Sequence, residues 1–179
     1  MRLFKTILKW FSIAFAVVLL LGGAFLAHSW YFKPVNINIF FARAFLQVAL
    51  ESPEMLSSIH VLEQFGIKGH NAELDDESMA AGDRLFSHMK ESRQVLLSYA
   101  DEDLAEKDIM SKRIALNLMD SLLDVEKYRF HNYPVNQLFG VQNGFPSFME
   151  STHQVHSVRD AEDYVSRLSQ VGRKFDQVL

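Results

Sequence analysis

The hydrophobic and polar positions divide the chain into one unbroken apolar run and a series of amphipathic segments. From Trp10 to Phe32 the sequence reads WFSIAFAVVLLLGGAFLAHSWYF, with no charge from Phe11 to Ala27. Roughly 20 apolar residues in a helix span the hydrocarbon core of a bilayer, and this run reaches that length once its aromatic ends are included. Arg2, Lys5 and Lys9 precede it, which places the N-terminus on the cytoplasmic side. Trp10 at one end and Trp30 with Tyr31 at the other suit the two membrane interfaces. The division expected is a basic tail over 1–9, a transmembrane signal anchor over 10–32 and a helical extracytoplasmic domain over 36–179. A cleaved signal peptide is the competing assignment, since Ala27-His28-Ser29 has small residues at the right spacing; His28 and Trp30 make it a poor cleavage site. A buried core helix fits less well with basic flanks and aromatic ends.

Beyond Lys33-Pro34 the period is helical. Asn36 or Asn38 can cap a helix whose apolar face holds Ile37, Phe40, Phe41, Ala44, Phe45 and Val48. Ser52-Pro53-Glu54 is a helix start: a cap, a proline at the first position and an acid in the first turn. That helix is predicted to carry Met55, Leu56, Ile59, Leu62 and Phe65 and to end at Gly66. After a loop to Asn71, Asp75-Asp76-Glu77-Ser78 puts acids at the N-terminus of a third body helix, with Met79, Leu85, Phe86, Met89, Leu96 and Leu97 on one side. Asp101 or Asp103 is expected to cap the longest one, from about Leu104 to Tyr128, bearing Ile109, Ile114, Leu118, Met119, Leu122, Leu123 and Val125. Ser157 with Asp160 resembles a capping box for a helix through Val158, Ala161, Val165 and Leu168, weakened at Gly172. The segment from Tyr133 to Phe148, with two prolines, two glycines and no charge, reads as a packed neutral loop. Strand patterning is weak, and no internal repeat is present. The fold class expected is all-α: a transmembrane helix followed by an irregular bundle of about five helices.

Charge sharpens this division. Residues 1–33 hold four bases and no acid, which leaves 14 bases against 22 acids in the rest of the 179-residue chain. An acidic body disfavours nucleic acid or anionic lipid as a broad-surface partner. The absence of cysteine removes disulfides, thiolate metal sites and cysteine nucleophiles, and is compatible with an oxidising compartment.

Candidate chemistry is sparse. His153 and His156 form an HxxH pair near Glu150, but they precede the Ser157 cap and lack the spacing of HExxH, so loop histidines are the expectation. His60, His70, His88 and His131 are scattered. Neither a GxSxG elbow nor a glycine-rich phosphate loop is present. Tyr133, Asn136, Gln137 and Gly140 stand out because amides inside an apolar loop either satisfy buried backbone or meet a ligand. They are carried forward as a possible substrate-groove or structural loop. No catalytic, cofactor-binding or metal-binding residue is assigned.

Two segments resemble a known family. SPEMLSSIHVLEQFGIKGHNAELDDES and NYPVNQLFGVQNGFPSFMESTHQVHSVRDAEDYVSRLSQV are similar to the bacterial domain-of-unknown-function 885 family, the second through its aromatic-Pro-hydrophobic-Asn-Gln loop, Thr-His step and Asp-Ala-Glu-Asp-Tyr helix. The resemblance runs from about Asn38 onward. It implies a largely helical, exported or membrane-anchored protein related to zinc metallopeptidases that carry HExxH in a later part of a longer chain. HExxH does not occur here, so zinc is expected only in longer members and none of its ligands maps onto this sequence. The chain is therefore expected to be an N-terminal, membrane-anchored portion of such a protein, catalytically inert alone; the alternative is a stand-alone tethered interaction module. The partners expected are the lipid bilayer through residues 10–32 and either a missing C-terminal portion or another protein, with no nucleic acid. The location implied is the bacterial inner membrane, with the body periplasmic.

Overall fold

The computed structural model describes residues 2–131 and 133–179, with side chains described from residue 9 onward. Among the described residues, eight α-helices and four short 3₁₀ turns account for the regular structure, and no strand occurs. The all-α class is thus as expected. The chain divides into two compact units, Met1–Ala44 and Phe45–Leu179.

In the first unit, α1 (Arg2–Tyr31) contains the apolar run, and from Lys9 to Tyr31 it is long and apolar enough to cross a membrane, with a mean hydropathy of 2.3. Leu20, Leu21 and Leu26 are exposed along it. The helix α2 (Ile37–Glu51) begins at Asn36, whose side chain accepts from the Asn38 amide at 2.7 Å, so one of the two candidate caps does the capping.

In the second unit the Ser52 and Ser157 caps hold as predicted, and Ser78, at the end of the acidic start, is a further cap. Ser52 accepts from the Met55 amide to open α3 (Pro53–Ile59), Ser78 from Ala81 to open α4 (Met79–Leu97), and Ser157 from Asp160 to open α7 (Val158–Ser169). These signals lie within three residues of what they bond, so no tertiary contact is needed to make them work.

Helix ends differ more. The helix from Ser52 stops at Ile59 instead of Gly66, because His60 turns into the left-handed region at φ 50°. Gln64 donates to the reversed His60 carbonyl at 3.1 Å, and a 3₁₀ turn, Glu63–Phe65, carries the chain to Gly66. Neither Asp101 nor Asp103 caps the long helix: α5 (Glu106–Val125) follows Ala105, while Asp101 pairs with Lys112 at 2.7 Å. The pair α4–α5 is joined by Arg93–Asp120 and, just beyond α5, by Lys90–Glu126 at 2.8 Å and Arg129–Asp83.

The neutral loop is partly helical. Val141–Ser151 forms α6, which contains Pro146 and buries Phe145 and Met149 against Leu74. Prolines and glycines argued against a helix, yet Val141, Phe145, Phe148 and Met149 recur at helical spacing. Burying two large side chains is worth about 2 kcal/mol each, enough to offset the missing proline donor. The last helix, α8 (Val171–Val178), is separated from α7 at Gln170; Gly172 lies inside α8.

The buried side of α7 is the main reversal. Val158, Val165 and Leu168, the apolar positions of the predicted face, are exposed, whereas Asp160 and Arg167 are buried. Polar contacts, not the aliphatic stripe, set the orientation of this helix.

Candidate functional site

Arg167 is completely buried and collects the surrounding elements. Its Nε donates to the Glu73 carbonyl at 2.9 Å, and one terminal nitrogen donates to the Ser57 hydroxyl at 2.5 Å and the His70 carbonyl at 3.0 Å. The other terminal nitrogen lies 2.7 Å from His153 Nδ1, and the guanidinium stacks over the Phe148 ring at 4.9 Å. Five planar donors in a rigid fork suit this set of acceptors, which a lysine could not reproduce. Burial lowers the Arg167 pKa, while the charges of Glu54, Asp163, Asp75 and Glu63 act in the opposite direction.

The same contacts determine the state of His153. A guanidinium has no acceptor, so Nδ1 must present its lone pair; the Nε2 proton then goes to the Asp160 carbonyl at 2.9 Å. His156 has a different partner: it is exposed, and its Nε2 meets the Gln154 side chain at 2.8 Å. The HxxH residues therefore do not converge on one point. Among the described residues, no group of three or more His, Asp or Glu side chains is placed to hold a metal ion.

Two further buried charges brace the clamp. Lys68 reaches the Asp160 carboxylate at 2.9 Å, and this bond, followed by the one from the Ser157 hydroxyl, holds the carboxyl far below the usual range. Lys174 bridges Glu54 at 2.7 Å and Glu77 at 2.8 Å. Burial lowers the Lys174 pKa, but the two carboxylates outweigh it and leave the ammonium above its ordinary value. Asp75, which accepts from the Ser52 hydroxyl and the Glu54 amide, is pushed up by burial more than those bonds lower it.

Beside the clamp lies a cleft of about 100 Å³ with His60, Glu63, Lys68, His153, His156 and Asp160 on its wall. One Glu63 oxygen meets His70 Nε2 at 3.1 Å and His60 Nδ1 at 3.5 Å; the other is buried without a protein partner. Burial raises the Glu63 pKa, but its backbone bond and His70 more than compensate, so the group stays below its ordinary value. The cleft combines an ionised acceptor with imidazole and ammonium donors, in a volume suited to a polar group of a few atoms.

The four residues singled out in the neutral loop sit apart from this cleft and fold on themselves. Asn136 accepts from the amides of Leu138 (3.1 Å) and Phe139 (2.8 Å) and donates to the Tyr133 carbonyl at 3.0 Å. Gln142 and Asn143 hold the carbonyls of Asn136 and Gln137 at 2.5 and 3.2 Å. Gly140 has an ordinary φ of −69°, but a Cβ there would strike the Asn136 backbone. The glycine is needed for close approach, not for backbone freedom. Tyr133 points outward and is 78% exposed. The adjacent Pro134 lines a larger, mostly apolar cleft of about 490 Å³ with Met79, Phe86, Phe130 and Val178.

Sequence reasoning missed Arg167 and Lys174. Their only signal was a base at a position where α7 and α8 each needed an inward-facing residue.

A helix apolar enough for a membrane and a body of helices joined by a buried polar clamp define, among the described residues, an all-α protein with one candidate membrane span. Residues 61–179 match the family described as "Bacterial protein of unknown function (DUF885)", and the chain belongs to that family. No curated protein and no solved structure matches it.

Proposed function

We propose that this chain is a membrane-anchored, N-terminal helical portion of a metallopeptidase-like protein, with its N-terminus in the cytoplasm and its body in the periplasm. In this proposal it acts as tether and scaffold, supplies one wall of a substrate groove and has no activity alone. The observation that carries it is the joining of an exposed helix, free of charge from Phe11 to Ala27, to a family body whose inward histidine, His153, serves to hold Arg167. Nothing in the chain matches HExxH, and the lone pair that His153 could offer a metal is occupied. The test is to purify the full chain in detergent and measure bound zinc and peptidase turnover. Stoichiometric zinc with turnover overturns the inert assignment.

A second reading, a stand-alone tethered interaction module, draws on α5. Met110, Ile114, Leu118, Leu122 and Val125 are all exposed and form one stripe along that helix. Such a stripe suits a protein partner, whether a further part of the same polypeptide or a separate chain. The mass of the native product distinguishes the two: a longer polypeptide containing HExxH supports the first reading, and a 179-residue product supports the second.

A further inference from the structure

Between Trp10 and Leu50 the only lysine or arginine residues are Lys33 and Arg43, and there is no acid. Arg43 is buried, and one of its terminal nitrogens faces three carbonyls at the end of α1: Phe32 at 2.7 Å, Trp30 at 3.3 Å and Ser29 at 3.4 Å. The last carbonyls of a helix lack intrahelical partners, and the negative end of its dipole favours a cation. Near a membrane these carbonyls have little water to turn to, so a side chain that satisfies them matters more there than in a soluble protein. Arg43, from the second turn of α2, supplies that cap. Its charge is thereby withdrawn from the surface, and beside the exposed Lys33 and Asn36 the turn presents large apolar or aromatic side chains: Tyr31 at 78%, Phe32 at 64% and Val35 at 75%.

We infer that residues 30–44 form an elbow seated in the headgroup layer of the bilayer, closed by Arg43 over the end of α1, with Tyr31, Phe32 and Val35 in contact with lipid. The inference rests on α1 spanning that membrane. The occupant is lipid for two reasons. The patch is continuous with the apolar run of α1, and amphipathic aromatic rings followed by a lysine at a helix end are the residues that settle at the interface. Lys33, exposed in the same turn, places an ammonium at the level of lipid phosphates.

The chain has no cysteine, so single-cysteine variants can each carry one environment-sensitive fluorophore. The full chain is reconstituted in phosphatidylethanolamine–phosphatidylglycerol vesicles with the probe at Leu20→Cys, Val35→Cys or Ser111→Cys. Quenching is measured with nitroxides at shallow and deep acyl positions and with iodide on both sides. Expected are deep quenching at position 20, shallow-lipid quenching at 35 and iodide quenching at 111. Adding Arg43→Gln to Val35→Cys is expected to raise iodide quenching at 35 roughly twofold as the elbow opens. Arg43→Lys, which keeps a cation but not the fork, is expected to fall between.

If position 35 behaves like 111 while 20 stays deep, the anchor stands and the elbow is wrong. If 35 is shielded from both iodide and lipid nitroxides, protein covers the patch and the elbow is likewise wrong. Iodide access at position 20 removes the anchor itself. Unchanged lipid quenching at 35 in Arg43→Gln, with helical circular dichroism retained, overturns the role of the cap.

Discussion

Arg167 and Ser57 lie 110 positions apart in sequence and share a hydrogen bond of 2.5 Å in the interior of the body. Around it meet α3, the 3₁₀ turn Gly69–Ala72 and α7. Replacing Arg167 by Met would leave the Glu73 carbonyl without its donor and remove one bond each from the His70 carbonyl and the Ser57 hydroxyl. A loss of about 3–5 kcal/mol is expected, measured by urea unfolding of the full chain in detergent. Arg167→Lys should recover only a small part of it, because an ammonium cannot span the same acceptors.

His153 should occur as the Nε2–H tautomer, with Nδ1 facing the guanidinium. Nitrogen chemical shifts of the imidazole test this directly. Zinc added in excess should leave the His153 signals in place, since the only free lone pair on the ring is covered. A zinc-dependent shift at His153 and His156 together would show that the loop rearranges into a ligand pair.

Gly140→Ala should destabilise the 133–143 turn by about 1–3 kcal/mol, because the new methyl group meets backbone that cannot move without breaking the Asn136 bonds. Asn136→Ala should cost a comparable amount by leaving two amides unpaired. Thermal unfolding distinguishes this structural use from a ligand role: a variant that keeps its melting temperature but loses binding to a partner would contradict it.

Acid stability should depend on Asp160. Its folded-state pKa is depressed, so its contribution is present above the pKa of the unfolded carboxyl and is lost as pH falls toward the folded value. Asp160→Asn should therefore lower the melting temperature at neutral pH and flatten its fall below the usual carboxylate range. Lys174 runs the other way. Its pKa is raised, so its contribution is complete below the unfolded lysine value and disappears as pH rises through the folded one. Lys174→Met should lower the melting temperature at neutral pH and reduce the drop in alkali. Unchanged pH profiles would mean that these pairs do not bear on folding.

Ile114→Glu and Leu118→Glu should change the stability of the body by less than about 0.5 kcal/mol, because both side chains are already exposed on α5. If the stripe binds a partner, the same changes should abolish that association. A large loss of stability would show instead that the stripe is buried within the chain.

What the sequence by itself determined was local or compositional. The apolar run of α1 needed only its own composition, and the starts at Ser52, Ser78 and Ser157 needed only a hydroxyl and an amide three residues away. Tertiary structure decided which face of a helix points inward and what a given charge does there. Val158, Val165 and Leu168 lost the interior to Asp160 and Arg167 because the Glu73 carbonyl, 94 positions from Arg167, takes its hydrogen bond from that guanidinium, and the His70 carbonyl takes a second bond there beside the one from the Glu73 amide. For the same reason α6 formed through a proline: the cavity beside Leu74 accepted Phe145 and Met149, and the local propensity was overridden. A hydrophobic pattern records what each residue prefers in water. The location of an unsatisfied acceptor exists only once the chain has folded around it, and in this protein those acceptors set the orientation of the last two helices.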